Sequence, residues 1–519
     1  MSRRASILLL ALAVAGWFAL AVANLFMGEL NQDEGWYLYA ARLVSEGQLP
    51  FRDFAFTQGP MLPLVYGLGH AWTAAWGLAG GRALTALLGF VAALAAAAFA
   101  ARISSPQDKG SAAILAFILI ALNVYHSYFT TVVKTYSLCA LFLTTGFVFA
   151  ARARHRKSAL LFAMAGVAFA AAAATRITAG ISLAAVGVWL LLARKQLGDR
   201  AWIAFGLGGG FGLALFLGSF YALAPEAFHF FMLDYHAHRE AGSALATVAF
   251  KIGLVSRVTQ GYFVAIAVGL ALVLARICGL ARGAGERDGL VLAGWATLAG
   301  IALVQASAPV PYDDYQVPLF PLFAALLAAA VFRLPALRAP RATAVALWVA
   351  LALNGAAAIS SPVNQAWMVV GRDRIWWRLR EKPALLQLRE AAAQIRTLSG
   401  DAHELLTQDT YLAVETGLRV PRGWEMGIFS YYPDWSRDRA EKLHVINREL
   451  FEETLADTPA RAAALSDYSF SVAAPAVAPL PSEESRALWN LIEAHYTPVG
   501  EIPYFGQGNT TLRLYSRAP

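Results

Sequence analysis

Long apolar stretches divide the first 359 residues of this chain into segments of membrane-spanning length. A helix that crosses the hydrocarbon core of a bilayer needs roughly 20 mostly apolar residues. Segments of this kind lie at about 6–27, 82–101, 111–125, 132–151, 158–174, 179–193, 201–222, 257–276, 289–306, 315–332 and 342–359. The pattern predicts a mainly α-helical, polytopic membrane protein with about 11 transmembrane helices.

Two apolar stretches, one outside these eleven segments and one the first of them, need a separate interpretation. Residues 61–80 are interrupted by several glycines, so we expect a helix that lies in the membrane interface and does not span it. The first run, 6–27, follows Arg3 and Arg4 as a signal peptide would, but it exceeds the roughly 7–15 apolar residues of a signal peptide. We therefore expect it to be retained as a membrane anchor.

The last 160 residues, 360–519, have the pattern of a small α/β domain. Helical periodicity covers roughly 382–398, 437–456 and 483–496, and strand-like runs cover 403–407, 466–472 and 511–515. The stretch 419–435 is rich in glycine, proline and aromatic residues, with Trp424 and Glu425 prominent. An ordinary loop is the favoured interpretation of this stretch, and a lid or a carbohydrate-stacking surface is the alternative.

Composition agrees with a membrane protein and excludes other classes. Hydrophobic residues make up 58% and charged residues 15% of the chain, whereas soluble proteins carry about 25% charged residues. The net charge is +8, but the basic residues lie in short loops, so no nucleic-acid partner is expected. Cys139 and Cys278 fall in or beside apolar runs, which excludes a disulfide framework or a zinc site of known spacing.

The basic residues also predict the orientation. Arginine or lysine residues precede the first predicted span and follow the second, fourth, sixth, eighth and tenth spans. With eleven spans, all these loops lie on one side of the membrane, which the positive-inside rule makes cytoplasmic. The N-terminus is then cytoplasmic, and residues 360–519 lie outside.

Polar residues gather in the loops of the opposite, outer face. The stretch Asn31–Arg42 follows the first span almost directly and carries Asp33 and Glu34 at its mouth. Carboxylates are costly near hydrocarbon, so a functional role is the default hypothesis for this pair. The remaining outer loops carry lysine, arginine, histidine and tyrosine, which indicates a catalytic or binding surface at the outer interface.

Several motifs in this part of the chain resemble those of a known superfamily. They are Asp33-Glu34-Gly35-Trp36-Tyr37, Gly47-Gln48-Leu49-Pro50-Phe51-Arg52-Asp53, Pro60-Met61-Leu62-Pro63-Leu64-Val65-Tyr66 and Tyr315-Gln316-Val317-Pro318-Leu319-Phe320-Pro321. Residues 1–359 are similar to the C-type glycosyltransferases, and resemble the bacterial branch of protein O-mannosyltransferases and lipid A aminoarabinose transferases. Many relatives have Lys-Pro-Pro where this chain has Gln58-Gly59-Pro60.

The resemblance implies a membrane glycosyltransferase of the bacterial inner (plasma) membrane. Such an enzyme moves a sugar from a polyprenyl-phosphate donor to a glycan, lipid or protein acceptor on the outer face. The expected division is a transmembrane domain at 1–359, with a catalytic outer loop at 28–81, and an outer domain at 360–519. The expected catalytic residues are Asp33, as the base, and Glu34.

Physical chemistry and the resemblance together give the other candidate residues. A leaving phosphate needs charge stabilisation, which arginine and lysine supply. The donor-phosphate candidates are Arg176, Lys134 and Arg82, and the substrate-binding candidates are Gln58, Tyr37, His126, His236, His238, Asp313 and Tyr315. Each cation could instead reach lipid headgroups.

No cofactor is required by the sequence, although Mg²⁺ or Mn²⁺ between Asp33 and the donor phosphate stays open, because such ions favour oxygen ligands. His236 and His238 suggest a metal site by composition, but acceptor-binding or surface histidines are the favoured interpretation. The competing functions are a polytopic transporter, a polymerase or ligase of lipid-linked glycans, and a membrane scaffold.

Overall fold

The computed structural model describes residues 2–239, 243–279, 288–337, 339–359 and 381–517. In the described residues up to 359, the named secondary-structure elements are helices. The helices are α1 (Arg3–Met27), α2 (Gln32–Ser45), α3 (Met61–Leu68), α4 (His70–Ile103), α5 (Lys109–Ala121), α6 (Val124–Phe129), α7 (Thr135–Arg156), α8 (Ala159–Thr175), α9 (Ile181–Leu192), α10 (Arg194–Leu197), α11 (Asp199–Leu213), α12 (Ser219–Leu223), α13 (Pro225–His229), α14 (Tyr235–Ala237), α15 (Ala244–Gly261), α16 (Phe263–Ile277), α17 (Gly289–Ser307), α18 (Phe320–Val331) and α19 (Pro340–Ile359). Short 3₁₀ turns lie at Ile177–Gly180, Asp313–Leu319 and Pro335–Leu337, and π turns at Ala214–Gly218 and Phe230–Asp234.

The helices confirm a polytopic membrane protein. Within the described residues, seven helices are long and apolar enough to cross a bilayer, and a bent pair, α15 and α16, could form an eighth crossing. Three shorter apolar helices lie at 109–121, 159–175 and 177–192. The count of eleven spans stays a prediction, because these three helices are shorter than a full crossing.

One predicted span differs from the structure. Residues 257–276 do not form one helix, because the chain bends by 91° between α15 and α16. Gly261 lies at the bend, and a Cβ atom there would stand 2.8 Å from the ring of Tyr125. The close approach of that ring therefore requires glycine where apolar periodicity alone predicts an uninterrupted helix.

The stretch predicted as an interfacial helix, 61–80, forms α3 and the first turns of α4. The helical geometry of α4 is interrupted at Gly77, which has a φ of +59°. A Cβ atom at Gly77 would lie 2.1 Å from the carboxylate of Glu415, which accepts a hydrogen bond from the Leu78 N–H (2.8 Å). The C-terminal region therefore contacts α4 at its kink.

The C-terminal region, 381–517, contains both helices and strands, as predicted. Its helices are α20 (Ala384–Ser399), α21 (Thr410–Thr416), α22 (Arg437–Lys442), α23 (Arg448–Asp457) and α24 (Ser482–His495), with 3₁₀ turns at Gly427–Ser430 and Gln507–Asn509. Its strands are β1 (Leu405–Leu406), β2 (Ala462–Ser466), β3 (Val472–Ala473), β4 (Ala478–Pro479), β5 (Thr497–Phe505) and β6 (Thr510–Ser516).

These strands form two sheets. The larger has the order β1-β2-β6-β5, with β1 parallel to β2 and the other neighbours antiparallel. The smaller is the antiparallel hairpin β3–β4. The predicted boundary between residues 359 and 360 lies outside the described residues.

Two predicted elements of this region differ in detail. The helix expected at 437–456 is broken, because His444 adopts a φ of +57° and Asn447 caps the start of α23 with its side chain. The strand expected at 466–472 is wrong in position, because the observed strand β2 runs from Ala462 to Ser466 and the next strand, β3, begins only at Val472. Strand β2 is Ala-Ala-Ala-Leu-Ser, which has no β-branched or aromatic residue and therefore gives no local strand signal.

The C-terminal region and the first outer loop share one hydrophobic core. Leu38 of α2, Phe56 of the loop, and Tyr411 and Leu412 of α21 are buried in the same cluster. A second cluster lies among the membrane helices, including α5, α7 and α18. The catalytic loop predicted from sequence is therefore enclosed between the membrane helices and the C-terminal region.

Candidate active site

The hydrogen bonds at the N-terminus of α2 direct the Asp33 and Glu34 carboxylates to different places. The Asn31 side chain accepts a hydrogen bond from the Asp33 N–H (3.1 Å), and the Glu34 carboxylate accepts one from the Asn31 N–H (3.1 Å). This reciprocal capping box satisfies backbone donors that the first turn leaves free. It turns Glu34 back into the protein, and Asp33 is left to face a cavity.

Glu34 forms a buried ion pair with Arg82. The Arg82 guanidinium donates to both Glu34 carboxylate oxygens, at 2.8 and 2.6 Å, and neither side chain is exposed (0% and 0%). Its remaining donors bind the backbone carbonyls of Asn24, Leu25, Gly28 and Glu29. Arg82 therefore ties α4 to the end of α1 and the start of α2.

Asp33 forms an ion pair of a different kind. Its Oδ2 atom lies 2.9 Å from the Lys134 ammonium, which lies 2.9 Å from Asp314 Oδ2 as well. The Asp33 side chain is 25% exposed, and the Trp36 indole N–H donates to its second oxygen (3.2 Å). Burial favours neutral Lys134, but Asp314 and Asp33 outweigh it and raise the pKa of Lys134 well above its usual value.

Asp33 faces a cavity of about 560 Å³ between the first loop, the helix ends and the C-terminal region. Its lining includes seven residues predicted from the sequence, namely Asp33, Tyr37, Gln58, Lys134, Arg176, Asp313 and Tyr315. Lys134 precedes α7, Arg176 follows α8, and Tyr315 lies in the turn before α18. The ends of three helices therefore bring Lys134, Arg176 and Tyr315 to the same cavity as Asp33.

Two arginines stand on either side of Tyr315. The Arg176 guanidinium lies 4.6 Å from the centre of the Tyr315 ring and donates to Thr135 Oγ1 (3.0 Å). Arg239 donates to the Tyr315 hydroxyl (3.0 Å) and lies over the Tyr235 ring, 5.6 Å from its centre.

Both guanidinium groups retain binding capacity. The Nε atoms of Arg176 and Arg239 are buried without a hydrogen-bond partner in the described structure. The groups that surround the two guanidinium groups most closely are tyrosines. Within the described residues, neither arginine forms an ion pair with a carboxylate, so this part of the cavity is suited to an anion.

Arg239 was not among the residues selected from the sequence. It follows the histidine-rich stretch that contains His236 and His238, and its position at the end of an outer loop is the only sequence signal. An arginine beside histidines in a loop does not by itself indicate a phosphate-binding site. Its contact with Tyr315, 76 positions away in the chain, becomes visible only in the fold.

Asp313 and Asp314 bind different partners although they are neighbours in sequence. The Tyr125 hydroxyl donates to Asp313, and Arg257 of α15 lies 3.4 Å from the same carboxylate. Asp314 pairs with Lys134. The two carboxylates therefore hold the cavity side of α15 and the start of α7 against the turn before α18.

Five of the predicted residues, His236 among them, are not part of the cavity lining. Glu34 and Arg82 are buried in their own ion pair. His126 is buried, and its ring packs on Phe320, with 5.2 Å between the ring centres. His238 bonds to the Asp234 carbonyl (2.5 Å) at the end of a helical segment.

His236 supports the wall of the cavity. Its Nε2 atom is hydrogen-bonded to the backbone carbonyl of Thr57 (2.8 Å), next to the cavity residue Gln58. Burial, and then the neighbouring Arg239, lower the pKa of His236 to about 4. The neutral ring is therefore the form present at neutral pH. The two histidines lie on a helical turn, so the shared orientation expected for a strand does not apply.

The side chains at Asp33 do not fit a divalent cation. A lysine ammonium lies within 2.9 Å of both Asp33 and Asp314, so it supplies the positive charge that a metal would provide. Among the described residues, no group of three or more His, Cys, Asp or Glu side chains has a metal-binding arrangement. The reaction proposed below therefore assigns its roles to the side chains that line the cavity.

The C-terminal region forms one wall of the cavity. The residues it contributes are Ile428, Phe429, Tyr468, Val472, Val477, Gln507 and Gly508. Trp424, considered above as part of a stacking surface, is instead fully buried and stacks on Phe451 with 5.3 Å between ring centres. The stretch 419–435 thus reaches the cavity through Ile428 and Phe429.

Solved structures with the same architecture cover nearly the whole chain. ArnT from Cupriavidus metallidurans in the apo state has a TM-score of 0.60 at 14% identity, over 99% of this chain and 97% of ArnT. ArnT bound to undecaprenyl phosphate has a TM-score of 0.57 at 14% identity, over 98% and 97%. This chain has the fold of the C-type glycosyltransferases.

A second protein with this C-type fold is the Archaeoglobus fulgidus oligosaccharyltransferase tethered to an acceptor peptide. Its TM-score is 0.54 at 12% identity, over 100% of this chain and 74% of the archaeal protein. No protein-family model and no curated protein matches the sequence. The likeness therefore concerns the fold, and the roles of individual residues must be argued from their geometry.

Proposed function

We propose that this protein is a membrane glycosyltransferase that moves a sugar from a polyprenyl-phosphate donor to an acceptor on the outer face of the membrane. One observation carries the proposal. A carboxylate, Asp33, and two arginines without carboxylate partners in the described structure, Arg176 and Arg239, line the same cavity. Transfer of a sugar from a phosphate to a hydroxyl requires both a base and an anion site.

The donor phosphate binds at Arg176 and Arg239 in this proposal. Guanidinium groups form charge-assisted hydrogen bonds to phosphate oxygens, and both groups have an unused Nε donor. The phosphate carries the electron pair when its bond to the anomeric carbon breaks. Its increasing negative charge is stabilised by donors that are already in place, so little reorganisation is needed.

Asp33 acts as the base. Its carboxylate accepts the proton of an acceptor hydroxyl while the hydroxyl oxygen forms the new bond to the sugar. Lys134 lies 2.9 Å from one oxygen of this carboxylate, and the Trp36 indole N–H donates to the other, so both contacts orient it. Glu34, expected to share the catalytic role, instead supports the loop through Arg82.

The acceptor approaches from the C-terminal side of the cavity. Phe429 and Tyr468 provide aromatic surface there, and Gln507 provides amide groups. Two proteins with this fold support these two kinds of substrate, since ArnT has been solved bound to undecaprenyl phosphate and the archaeal oligosaccharyltransferase tethered to an acceptor peptide. A glycan, a lipid or a protein hydroxyl would each satisfy this chemistry.

The direct test is transfer of a labelled sugar by the purified protein in detergent. Polyprenyl-phosphate sugars are offered with glycan, lipid or peptide acceptors, and products are identified by mass spectrometry. The proposal predicts a labelled acceptor and released polyprenyl phosphate. If no donor of this class is consumed under any of these conditions, a transporter or scaffold becomes the better interpretation.

Anion binding tests the phosphate site separately. Arg176→Gln and Arg239→Gln should each weaken binding of polyprenyl phosphate by about 10-fold or more, since a hydrogen bond to a charged group contributes about 1.5–3 kcal/mol. Dissociation constants from calorimetry of the purified protein provide the measurement.

Arg52→Gln is the matched control. Arg52 lies on the same loop as Asp33, but it is exposed and pairs with Asp53 outside the cavity lining. It should bind polyprenyl phosphate as the wild type does. Normal binding by both Arg176→Gln and Arg239→Gln would place the phosphate site elsewhere.

The proposed location is the bacterial inner membrane, with the N-terminus cytoplasmic and a separate domain, 360–519, outside. A reporter that is active only in the cytoplasm, fused after Pro519, should be silent. The same reporter inserted after Ser105, in a loop with basic residues, should be active. An active C-terminal fusion of intact protein would reverse the orientation and place the Asp33 cavity on the cytoplasmic face.

A further inference from the structure

The buried carboxylate of Asp409 reaches from the C-terminal region to the first outer loop. Asp409 is 0% exposed and accepts hydrogen bonds from the Tyr411 hydroxyl (2.7 Å), the Ser466 N–H (2.9 Å) and hydroxyl (2.9 Å), and the Ser469 hydroxyl (3.2 Å). Its fifth donor is the side-chain amide of Gln32, at 2.6 Å. Four bonds thus fix this carboxylate within its own region, and one extends to α2.

Gln32 is the residue directly before Asp33 and begins α2. Its backbone N–H donates to the Gln507 side-chain carbonyl (2.9 Å), and the Gln507 amide in turn donates to the Tyr468 hydroxyl (3.1 Å). Both the side chain and the backbone of Gln32 are therefore held by the C-terminal region.

The first turn of α2 lies directly against this region. A Cβ atom on Gly35 would stand 2.2 Å from the Tyr411 backbone nitrogen, so the helix and α21 approach each other as closely as glycine allows. The Gln32–Asp409 hydrogen bond in this buried contact is short, at 2.6 Å, and such a bond is directional. The Gln32–Asp409 bond therefore fixes the rotation of α2 about its axis.

The rotation of α2 determines where the Asp33 carboxylate lies. The side chain of Asp33 is partly exposed and contacts the side chains of Lys134 and Trp36. Moving a reacting group by about 1 Å can reduce catalysis 100-fold. We propose that Gln32 and Asp409 are positioning residues that hold Asp33 in its catalytic place, an inference that rests on the proposed function.

The other end of α2 provides a matched control. Arg42 donates to the backbone carbonyls of Gly417 (3.1 Å) and Leu418 (2.9 Å), so it also joins α2 to the C-terminal region. It lies nine residues from Asp33, or about 13 Å along a helix. Arg42→Leu removes a docking contact without releasing the first turn.

Gln32→Met removes the amide and keeps the length of the side chain. It should lower kcat for sugar transfer by roughly 10-fold or more and leave KM for the donor unchanged, because the base is displaced and the phosphate site is intact. Arg42→Leu should keep kcat close to that of the wild type. Gln32→Asn retains an amide on a shorter side chain and serves as a second variant if Gln32→Met does not fold.

A carbodiimide cross-link measures the position of Asp33 without any substrate. Lys134 lies 2.9 Å from both Asp33 and Asp314, so the reagent should join it to either carboxylate in the wild type. The ratio of the two products, read by mass spectrometry, is independent of the yield of folded protein. Gln32→Met should lower the Asp33 product relative to the Asp314 product, and Arg42→Leu should not.

The outcomes separate the two proposals. An unchanged cross-link ratio in Gln32→Met overturns the positioning role, even if transfer falls. The loss of transfer would then mean that Gln32, which lines the cavity, contacts the substrate itself. A lowered ratio together with a wild type that transfers no sugar supports the positioning pair and rejects the proposed function. Equal effects of Gln32→Met and Arg42→Leu would also overturn the proposal, since docking alone would explain them.

Discussion

Asp33→Asn should lower kcat for sugar transfer by about 100-fold or more, in the range of a lost general base. Asparagine keeps the size of the side chain and can still accept from Trp36, but it has no negative charge and cannot take a proton. The ion pair with Lys134 is also lost. Binding of polyprenyl phosphate should persist, because Arg176 and Arg239 are unchanged.

The measurement is single-turnover transfer from a labelled polyprenyl-phosphate sugar, with donor binding determined in parallel. Asp53→Asn is the matched control, since Asp53 belongs to the same loop but pairs with Arg52 outside the cavity lining. Normal transfer by Asp33→Asn would reject Asp33 as the base. Loss of both transfer and donor binding would instead show that Asp33 organises the phosphate site.

The membrane part of the fold is largely readable from the sequence because its signal is local. A run of apolar residues with the length of a bilayer crossing predicts a helix whatever it packs against. The cation-rich loops predict an orientation from an equally local signal, and this orientation stays a prediction. The bend at Gly261 could not be predicted in this way. It involves a close contact with the ring of Tyr125, which is distant in sequence.

The secondary structure of the C-terminal region, unlike the membrane helices, could not be predicted from local sequence signals alone. Ala462–Ser466 forms a strand because β1 and β6 lie beside it, although its own residues have low strand propensity. The predicted helix 437–456 breaks at His444, whose left-handed backbone no periodicity reveals. Tertiary contacts decide both elements.

The sequence could predict which residues gather at the candidate site, but not which of them form ion pairs with each other. Asp33, Lys134, Arg176 and Tyr315 meet as expected from topology. The sequence places Asp33 and Glu34 side by side and cannot show that one faces the cavity while the other is buried. That difference arises from the capping box at Asn31 and from the position of Arg82 on α4.

This burial changes what is expected of Glu34. The sequence places Glu34 beside Asp33 in an outer loop, whereas the structure buries the Glu34 side chain completely (0% exposed) against the equally buried Arg82. Removing one partner of a buried ion pair leaves an uncompensated charge and costs about 3–5 kcal/mol. Glu34→Gln should therefore strongly lower the free energy of unfolding.

The matched control is Glu46→Gln. Glu46 lies at the C-terminal end of the same helix, α2, and also pairs with arginines, Arg42 and Arg419, but it is 28% exposed. Exposed pairs contribute little, so the midpoint of thermal unfolding of Glu46→Gln in detergent should stay near that of the wild type. Equal midpoints for Glu34→Gln and Glu46→Gln would contradict the structural role of Glu34.

The same experiment determines how any loss of activity in Glu34→Gln should be interpreted. If Glu34 acts only by holding the loop, total transfer should recover at low temperature, where most of the protein is folded, and should fall with the folded fraction on warming. Asp33→Asn should remain inactive at every temperature, because its loss is chemical. A Glu34→Gln variant that is fully folded yet inactive would return the catalytic role to Glu34.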